Sequence, residues 1–412
     1  MSEEPAPDHL EGRPATSRFD QGPASPIGIK EGLASLVAMA SIFFLMSFWI
    51  HFPGMSPNVY SDLMDTLWQR ILHAPGIIPY ASYNLEYPVV SGAVLYVSSL
   101  SKNMYGFYFS ISAILFACML GSVCVVYRTL KERGEPIQRI AYFMVFTPAF
   151  VYFSIYSFDW IGSLFMVASL YFGYKRRALW SGASMGLAVA SRIIPIVCLP
   201  FIFLEFKSKK NRIALLASTG GVWLAANLPL LVSSPKGFLY TYSFQANWGV
   251  EDSWVGLAAP YSKEVSVLLL GGAMLLILYK RNKFSLFQQS LLAMLAFVMF
   301  SYKFPPQYMI MLLPLFALTG AGYIEFLIAN ILDVMIILWY FTPVLSGGAP
   351  LSALSPVQWI AYERQFALLL VFLRLMLSRA KAIEPVEGEV LVERVPLVQR
   401  LRRIASLSHE NQ

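Results

Sequence analysis

Apolar runs of near membrane-crossing length recur along almost the whole chain, and clusters of Lys and Arg punctuate them. A stretch of about 20 apolar residues can cross a bilayer as a helix, because a helix satisfies its own backbone where no water is available. Charged residues make up only 13% of the chain and hydrophobic residues 57%. A soluble domain carries roughly 25% charged residues. The expected class is therefore an all-α polytopic membrane protein.

The runs place candidate spans at Leu33–Phe52, Tyr105–Tyr127, Ile140–Tyr156, Phe158–Tyr174, Ala178–Ala190, Ile193–Phe206, Ile213–Val232, Val265–Tyr279, Phe284–Ser301, Tyr308–Tyr323, Ile324–Val344 and Trp359–Ser378. Val89–Leu100 is apolar but only about a dozen residues long, too short to cross, and reads as a helix lying on or dipping into one face. With that assignment every basic cluster follows an even-numbered span: Arg128 to Arg139, Lys175 to Arg177, Lys207 to Arg212 and Lys280 to Lys283. Positive loops stay in the cytosol. The expectation is a bundle of about twelve spans with both termini cytosolic. Residues 33–379 form the membrane domain, and the long polar segments 53–104 and 233–264 share the outer face.

Residues 1–32 are rich in Pro, Glu, Asp, Ser and Gly and lack a signal peptide's basic start and short apolar core. They read as a disordered cytosolic tail. Residues 380–412 form a basic cytosolic tail, in which Arg394, Arg400, Arg402 and Arg403 alternate with Leu397, Leu401, Ile404 and Leu407. That spacing fits either an amphipathic helix on anionic lipid or a plain solvated tail. The net charge of +7 belongs to cytosolic loops and calls for no nucleic acid. Cys118, Cys124 and Cys198 lie in apolar runs without metal-ligand spacing and read as small buried apolar residues.

Ionisable residues at membrane depth default to paired or functional roles. Asp62, in Tyr60-Ser61-Asp62, and Glu86, in Leu85-Glu86-Tyr87-Pro88, stand in the first long polar segment. Asp62 reads as a catalytic base or as the cap of a short amphipathic helix over Leu63, Met64, Leu67 and Trp68. Asp159 and Arg192 sit at span ends. Asp159 suits a helix cap, and Arg192 suits phosphate or an ion pair with Asp159 or Glu86. Lys303, beside Gln307 and Tyr308, suits phosphate or an interfacial anchor. Asp333 and Arg374 suit a structural pair between the last two spans. Gln245 to Trp254 mixes amide, carboxylate and aromatic groups, including Trp248 and Trp254, and suits a sugar ring or a membrane-interface belt. His51 and His73 lack a spaced third ligand, so no metal is expected. No Walker A loop, HExxH or GxSxG occurs, which leaves ATP-driven transport, zinc proteolysis and nucleophile-elbow hydrolysis without support.

Several of these features occur together in an order that resembles one family. They are an acidic residue soon after the first span, Glu86-Tyr87-Pro88 before a short surface helix, Ser157-Phe158-Asp159-Trp160, Ser191-Arg192 with Pro195, and Pro305-Pro306-Gln307-Tyr308 with Pro314 downstream. Over about residues 33–340 the chain resembles integral-membrane glycosyltransferases of the GT-C superfamily. The nearest likeness is to polyprenyl-phosphate-mannose-dependent alpha-mannosyltransferases of the phosphatidylinositol-mannoside type. Where the family often has a second Pro-rich step after Glu-Tyr-Pro, this chain has Val89-Val90.

The resemblance implies a hexosyltransferase that moves a sugar, mannose by analogy, from a polyprenyl phosphate to a hydroxyl on the non-cytosolic face, with inversion. Asp62 would be the base and Asp65 the fallback. Arg192 and Lys303 would meet the donor phosphate. Asp159, Glu86, Tyr87, Gln307 and Tyr308 would line the substrate site, and Trp248 and Trp254 would stack on the sugar. The implied partners are the lipid-linked donor, a glycolipid or glycan acceptor and membrane lipid, with no cofactor beyond the donor substrate. The competing readings are a transporter or lipid-linked-sugar flippase, and a non-catalytic subunit of a glycosylation complex.

Overall fold

The structure, a computed structural model, describes residues 32–55, 59–74 and 76–378. The expected tails over 1–32 and 380–412 lie outside the described residues, apart from Gly32. Among the described residues the architecture is all-helical, with isolated bridges and no strand. Five helices are long and apolar enough to cross a membrane: Leu33–Ile50, Met104–Glu132, Lys209–Ser233, Ser262–Tyr279 and Tyr323–Tyr340. The chain is thus a helical membrane-embedded protein.

The other apolar runs are also helical, but shorter or broken. The run from Ile140 divides at Thr147-Pro148. Proline has no amide hydrogen for the preceding turn, and the Thr147 hydroxyl caps a new helix, Pro148–Phe153, by accepting from the Phe150 amide. The run from Ile193 opens as a tight turn over Ile194–Cys198 and continues as Leu199–Glu205. Val89–Ser99 is an independent short helix after Pro88. The long polar segment 233–264 contains a helix at Pro235–Asn247.

Met309–Thr319 is buried from Met309 through Leu318. A helix that is apolar on every side belongs inside a bundle. Leu286–Phe300 is buried along most of its length. These two core helices carry the loop 301–308 between them. Elsewhere close approach depends on glycine: Ala178–Ser191 packs on Lys209–Ser233 where a Cβ on Gly182 would collide with the Leu215 carbonyl. Cys198 is buried and Cys118 partly so, but Cys124 is exposed on its helix, contrary to the expectation of burial.

The ionic pairing of the last two long helices differs from the Asp333–Arg374 pair expected. Asp333 is bound by Arg364, both fully buried, and Arg374 reaches Glu325 at 3.2 Å. Arg374 stands ten residues past Arg364, closer to the helix end where Glu325 starts the neighbouring helix. Arg364 also donates through Nη2 to the carbonyls of Asp252 (2.9 Å) and Phe304 (2.7 Å), and it lies over the Phe304 ring. Gln365 donates to Ser253 Oγ and accepts from the Trp254 amide. Gln358 donates to the Asp252 carboxylate at 2.9 Å. The helix Pro356–Leu377 thereby holds two loops that reach the candidate site.

Candidate active site

Asp62 is the first residue of the helix Asp62–Leu72, after Ser61 in extended backbone. The local bonds separate the two aspartates of this turn. Asp65 Oδ2 accepts the Ser61 amide at 2.7 Å and Oδ1 accepts from Gln69, so Asp65 closes the helix start. Asp62 makes no such bond and instead accepts from Gln307 Nε2 at 3.3 Å. The turn is fastened to the 153–160 region, because the Tyr156 carbonyl accepts from both Ser61 Oγ and the Leu63 amide. Burial pushes the Asp62 carboxyl up to about 7, and the neighbouring Glu86 and Asp159 add to the rise. A hydrogen bond from Tyr60 and the charge of Arg192 oppose it.

Arg192 follows the helix Ala178–Ser191 in extended backbone. Its guanidinium forms a two-point pair with Asp159, Nε to Oδ1 at 2.8 Å and Nη2 to Oδ2 at 2.9 Å, and Nη2 also donates to Ser157 Oγ. Nη1 takes no part in these bonds. The Phe158, Tyr87 and Tyr308 rings surround the cation at 4.6, 5.2 and 5.8 Å. Of the partners open to Arg192 in the sequence, Asp159 is the one it holds, and Glu86 is not bonded to it. Asp159 is the first residue of its helix, and its carboxylate accepts from its own backbone amide and from Ser157 as well as from Arg192.

Lys303 Nζ lies 3.7 Å from the centre of the Trp248 ring and 3.8 Å from Glu251 Oε2. Trp248 Nε1 donates to the same Glu251 oxygen at 2.7 Å. The backbone holds this trio in register, since the Glu251 amide donates to the Tyr302 carbonyl and its carbonyl accepts from the Phe304 amide, both at 3.0 Å. Burial lowers the Lys303 ammonium, while Glu251 and Glu86 hold it up. Burial likewise raises the Glu86 carboxyl, against the pull of Lys303.

The polar segments themselves are joined. Along the helix Pro235–Asn247 and its start, Ser234, Thr241 and Gln245 donate in turn to the carbonyls of Tyr80 (2.7 Å), Leu85 (2.9 Å) and Glu86 (3.1 Å). Tyr80 has a positive φ of 70° and donates its hydroxyl to the Tyr87 carbonyl at 2.7 Å. It lies where a Cβ on Gly92 or Gly237 would strike it. Glu86-Tyr87-Pro88 is pinned from both sides.

A cavity of about 240 Å³ opens beside these groups. Its polar lining includes Arg192, Gln245, Tyr302 and Lys303, with Tyr87 and Tyr308, and its apolar wall includes Ile193, Ile194, Val267, Leu270 and Phe297. Asp62 stands outside that wall but within electrostatic reach of Arg192 and Glu86.

The chain matches no family model, no curated protein and no solved structure. Its chemistry has to be read from the site itself.

Asp62, Glu86, Tyr87, Asp159, Arg192, Trp248, Lys303, Gln307 and Tyr308 meet in one connected cluster. Asp65 faces its own helix start. Trp254 stacks loosely on Phe300 at 6.5 Å and is tied to Gln365, so it belongs to the packing of the last helix and not to the cavity lining. The sequence marks Tyr60 only as the neighbour of Asp62 and gives it no role; its hydroxyl bonds Thr66 at 2.6 Å and its ring stacks on Phe341 at 4.0 Å. Sequence reasoning overlooked Glu251 as the partner of Lys303, and Arg364. His51 and His73 are each engaged by a backbone carbonyl, Tyr152 and Trp68 respectively. Among the described residues no His, Cys, Asp and Glu side chains converge as a metal set.

Proposed function

We propose that the chain is a GT-C-type glycosyltransferase that uses a polyprenyl-phosphate sugar, with Asp62 as general base. The observation that carries this reading is the joining of two unlike features. A carboxyl poised near 7 stands beside a cavity lined by Arg192 and Lys303 and walled by Ile193, Ile194, Val267, Leu270 and Phe297. A base is most effective when its pKa lies near the working pH. A cationic lining suits a phosphate, and an apolar wall on a membrane-embedded helix suits a prenyl chain.

In this reading Asp62 takes the proton from the acceptor hydroxyl as its oxygen attacks the anomeric carbon. The bond from that carbon to the phosphate oxygen breaks, and the electron pair leaves with prenyl phosphate. Attack from the opposite face inverts the centre. Lys303 and the guanidinium of Arg192 stabilise the departing charge. Asp62, Glu86, Asp159 and Glu251 outnumber the cations Arg192 and Lys303 here, and the raised carboxyl of Glu86 lessens that opposition to an anionic donor. Mannose is the sugar that the family likeness suggests. In the proposed topology, about twelve spans place the site on the non-cytosolic side, with the basic loops in the cytosol.

The broken helices at Thr147-Pro148 and Pro195 give the carrier reading one point in its favour, since carriers bind at interrupted helices. The ionisable cluster instead gathers on Asp62, Glu86, Arg192 and Lys303, at the ends of helices and in the loops between them.

The test uses purified protein in detergent with radiolabelled polyprenyl-phosphate mannose, a lipid extract as acceptor source, and Asp62→Asn in parallel. Transfer by the wild type alone supports the reading. Equal transfer by both proteins moves the base elsewhere. No transfer with mannose, glucose or arabinose donors, together with solute uptake into liposomes, replaces the reading with a carrier.

A further inference from the structure

The connection between the last two long helices has an unusual surface. No charged residue occurs between Asp333 and Glu363. The connection is built, not loose. Ser346 and Ser355 donate to the carbonyls of Pro343 and Pro350. Gln358 donates to Pro350 O and the Tyr362 hydroxyl to Ala353 O. Four polar side chains thus turn onto the connection's own carbonyls, while large apolar side chains turn outward: Val344 is 91% exposed and Leu354 73%. A water-facing loop shows the reverse arrangement.

That outward surface continues the faces of both flanking helices. Ile324, Ile328, Ile331 and Leu338 are exposed at helical spacing before it, and Trp359, Phe366, Leu370 and Leu377 after it. Helices of this kind meet lipid on such stripes. The near end of the connection is Phe341, half-exposed and stacked on Tyr60, which in turn hydrogen-bonds toward Asp62.

We propose that residues 341–359 form a hairpin inserted in the lipid leaflet on the Asp62 side, and that the Tyr60–Phe341 stack is the threshold across which an amphiphilic, membrane-borne hydroxyl acceptor reaches Asp62. The lipid contact stands by itself. The acceptor class rests on the glycosyltransferase reading above.

The experiment has two arms. In the first, Leu354→Cys and Val344→Cys are made separately in a Cys118→Ala, Cys124→Ala background, spin-labelled, and placed in phosphatidylcholine–phosphatidylglycerol vesicles. Collision rates with oxygen, which concentrates in lipid, are compared with those of a water-soluble nickel chelate. Both labels are expected to collide more with oxygen. Preference for nickel at both positions overturns the insertion. In the second arm Leu354→Asp is assayed with a membrane-borne acceptor and with a short-chain soluble analogue. Transfer to the first falls roughly tenfold, the factor that about 1.4 kcal/mol of lost insertion energy is worth, while transfer to the second is kept. Equal loss on both acceptors overturns the threshold. Absence of any transfer by wild type would sink the glycosyltransferase reading, and with it the acceptor class, while the collision rates would still decide the insertion.

Discussion

Gln307 Nε2 donates to Asp62 Oδ2 at 3.3 Å, linking residues 245 positions apart. Asp62 begins a surface helix, whereas Gln307 belongs to the loop between two buried helices. The carboxylate is therefore referenced to the buried core of the molecule. A donor to the ionised form lowers a carboxyl's pKa. Gln307→Leu is expected to move the rising limb of the pH–rate profile to higher pH, with much of the lost rate recovered there. An unchanged limb with a uniformly lower rate would make Gln307 a packing residue only.

Asp62 sets the sign of two pH effects. As a base it works when ionised, so transfer should rise with pH through about 7. Its effect on stability runs the other way. Between its ordinary value of 3.8 and about 7 the folded chain keeps a proton that the unfolded chain has released. The contribution of this group to stability therefore falls as pH climbs through that window. Asp62→Asn is expected to lower transfer by roughly 10²–10⁴-fold and to raise the thermal midpoint in detergent at pH 8. Asp65→Ala should do the opposite, costing about 1 kcal/mol for the lost helix-start bond while leaving turnover largely intact. Transfer assays and melting curves on the same preparations check both.

The Arg192–Asp159 pair is buried among aromatic rings, so removing one member strands the other. Asp159→Ala should destabilise the protein by about 3–5 kcal/mol and leave Arg192 free to swing. The donor KM and kcat would then both change. Arg192→Met combined with Asp159→Leu should recover much of the stability and none of the transfer, which separates structural from chemical roles. Recovery of transfer by that double variant would exclude Arg192 from the phosphate site.

Arg364 makes a similar case at a distance from the cavity. Arg364→Met leaves Asp333 buried and frees the carbonyls of Asp252 and Phe304, with an expected loss of about 3–5 kcal/mol. Adding Asp333→Leu should return part of it. Thermal unfolding in detergent is the measurement. Strict additivity of the two changes would show that the residues do not act as a pair.

The apolar runs made the helices legible, because burial in lipid or in a bundle demands long uncharged segments. The short helix at Val89–Ser99 was legible for the same reason, from its length. What the runs concealed were choices that depend on neighbours in space. Asp333 had Arg364 and Arg374 within reach on one helix, and only the packing angle decides between them. A sharper signal was present: Gln358 and Gln365, seven residues apart, share one face of an otherwise apolar stretch, and Arg364 stands beside Gln365. Trp248 and Trp254 looked equivalent in a polar aromatic segment, yet Gln365 captures the Trp254 backbone and fixes that residue in the packing of the last helix. At the site, the separate roles of Asp62 and Asp65 follow from the Ser61 amide. Its choice of Asp65 depends on how Ser61 and Leu63 are tied to the Tyr156 carbonyl.

The buried helices on either side of residues 301–308 imply an uneven pair of jaws. Lys303, Gln307 and Tyr308 are mounted on the core and have nowhere to go. Glu86 and Tyr87 are mounted instead on a segment held by side-chain bonds, from Tyr80 within it and from Ser234, Thr241 and Gln245 outside it, and such bonds contribute only about 1 kcal/mol each. The Tyr302 hydroxyl, on the lysine jaw, donates to the Gln245 carbonyl at 2.7 Å, so the helix Pro235–Asn247 is the strap that ties the Glu86 jaw to the lysine anvil.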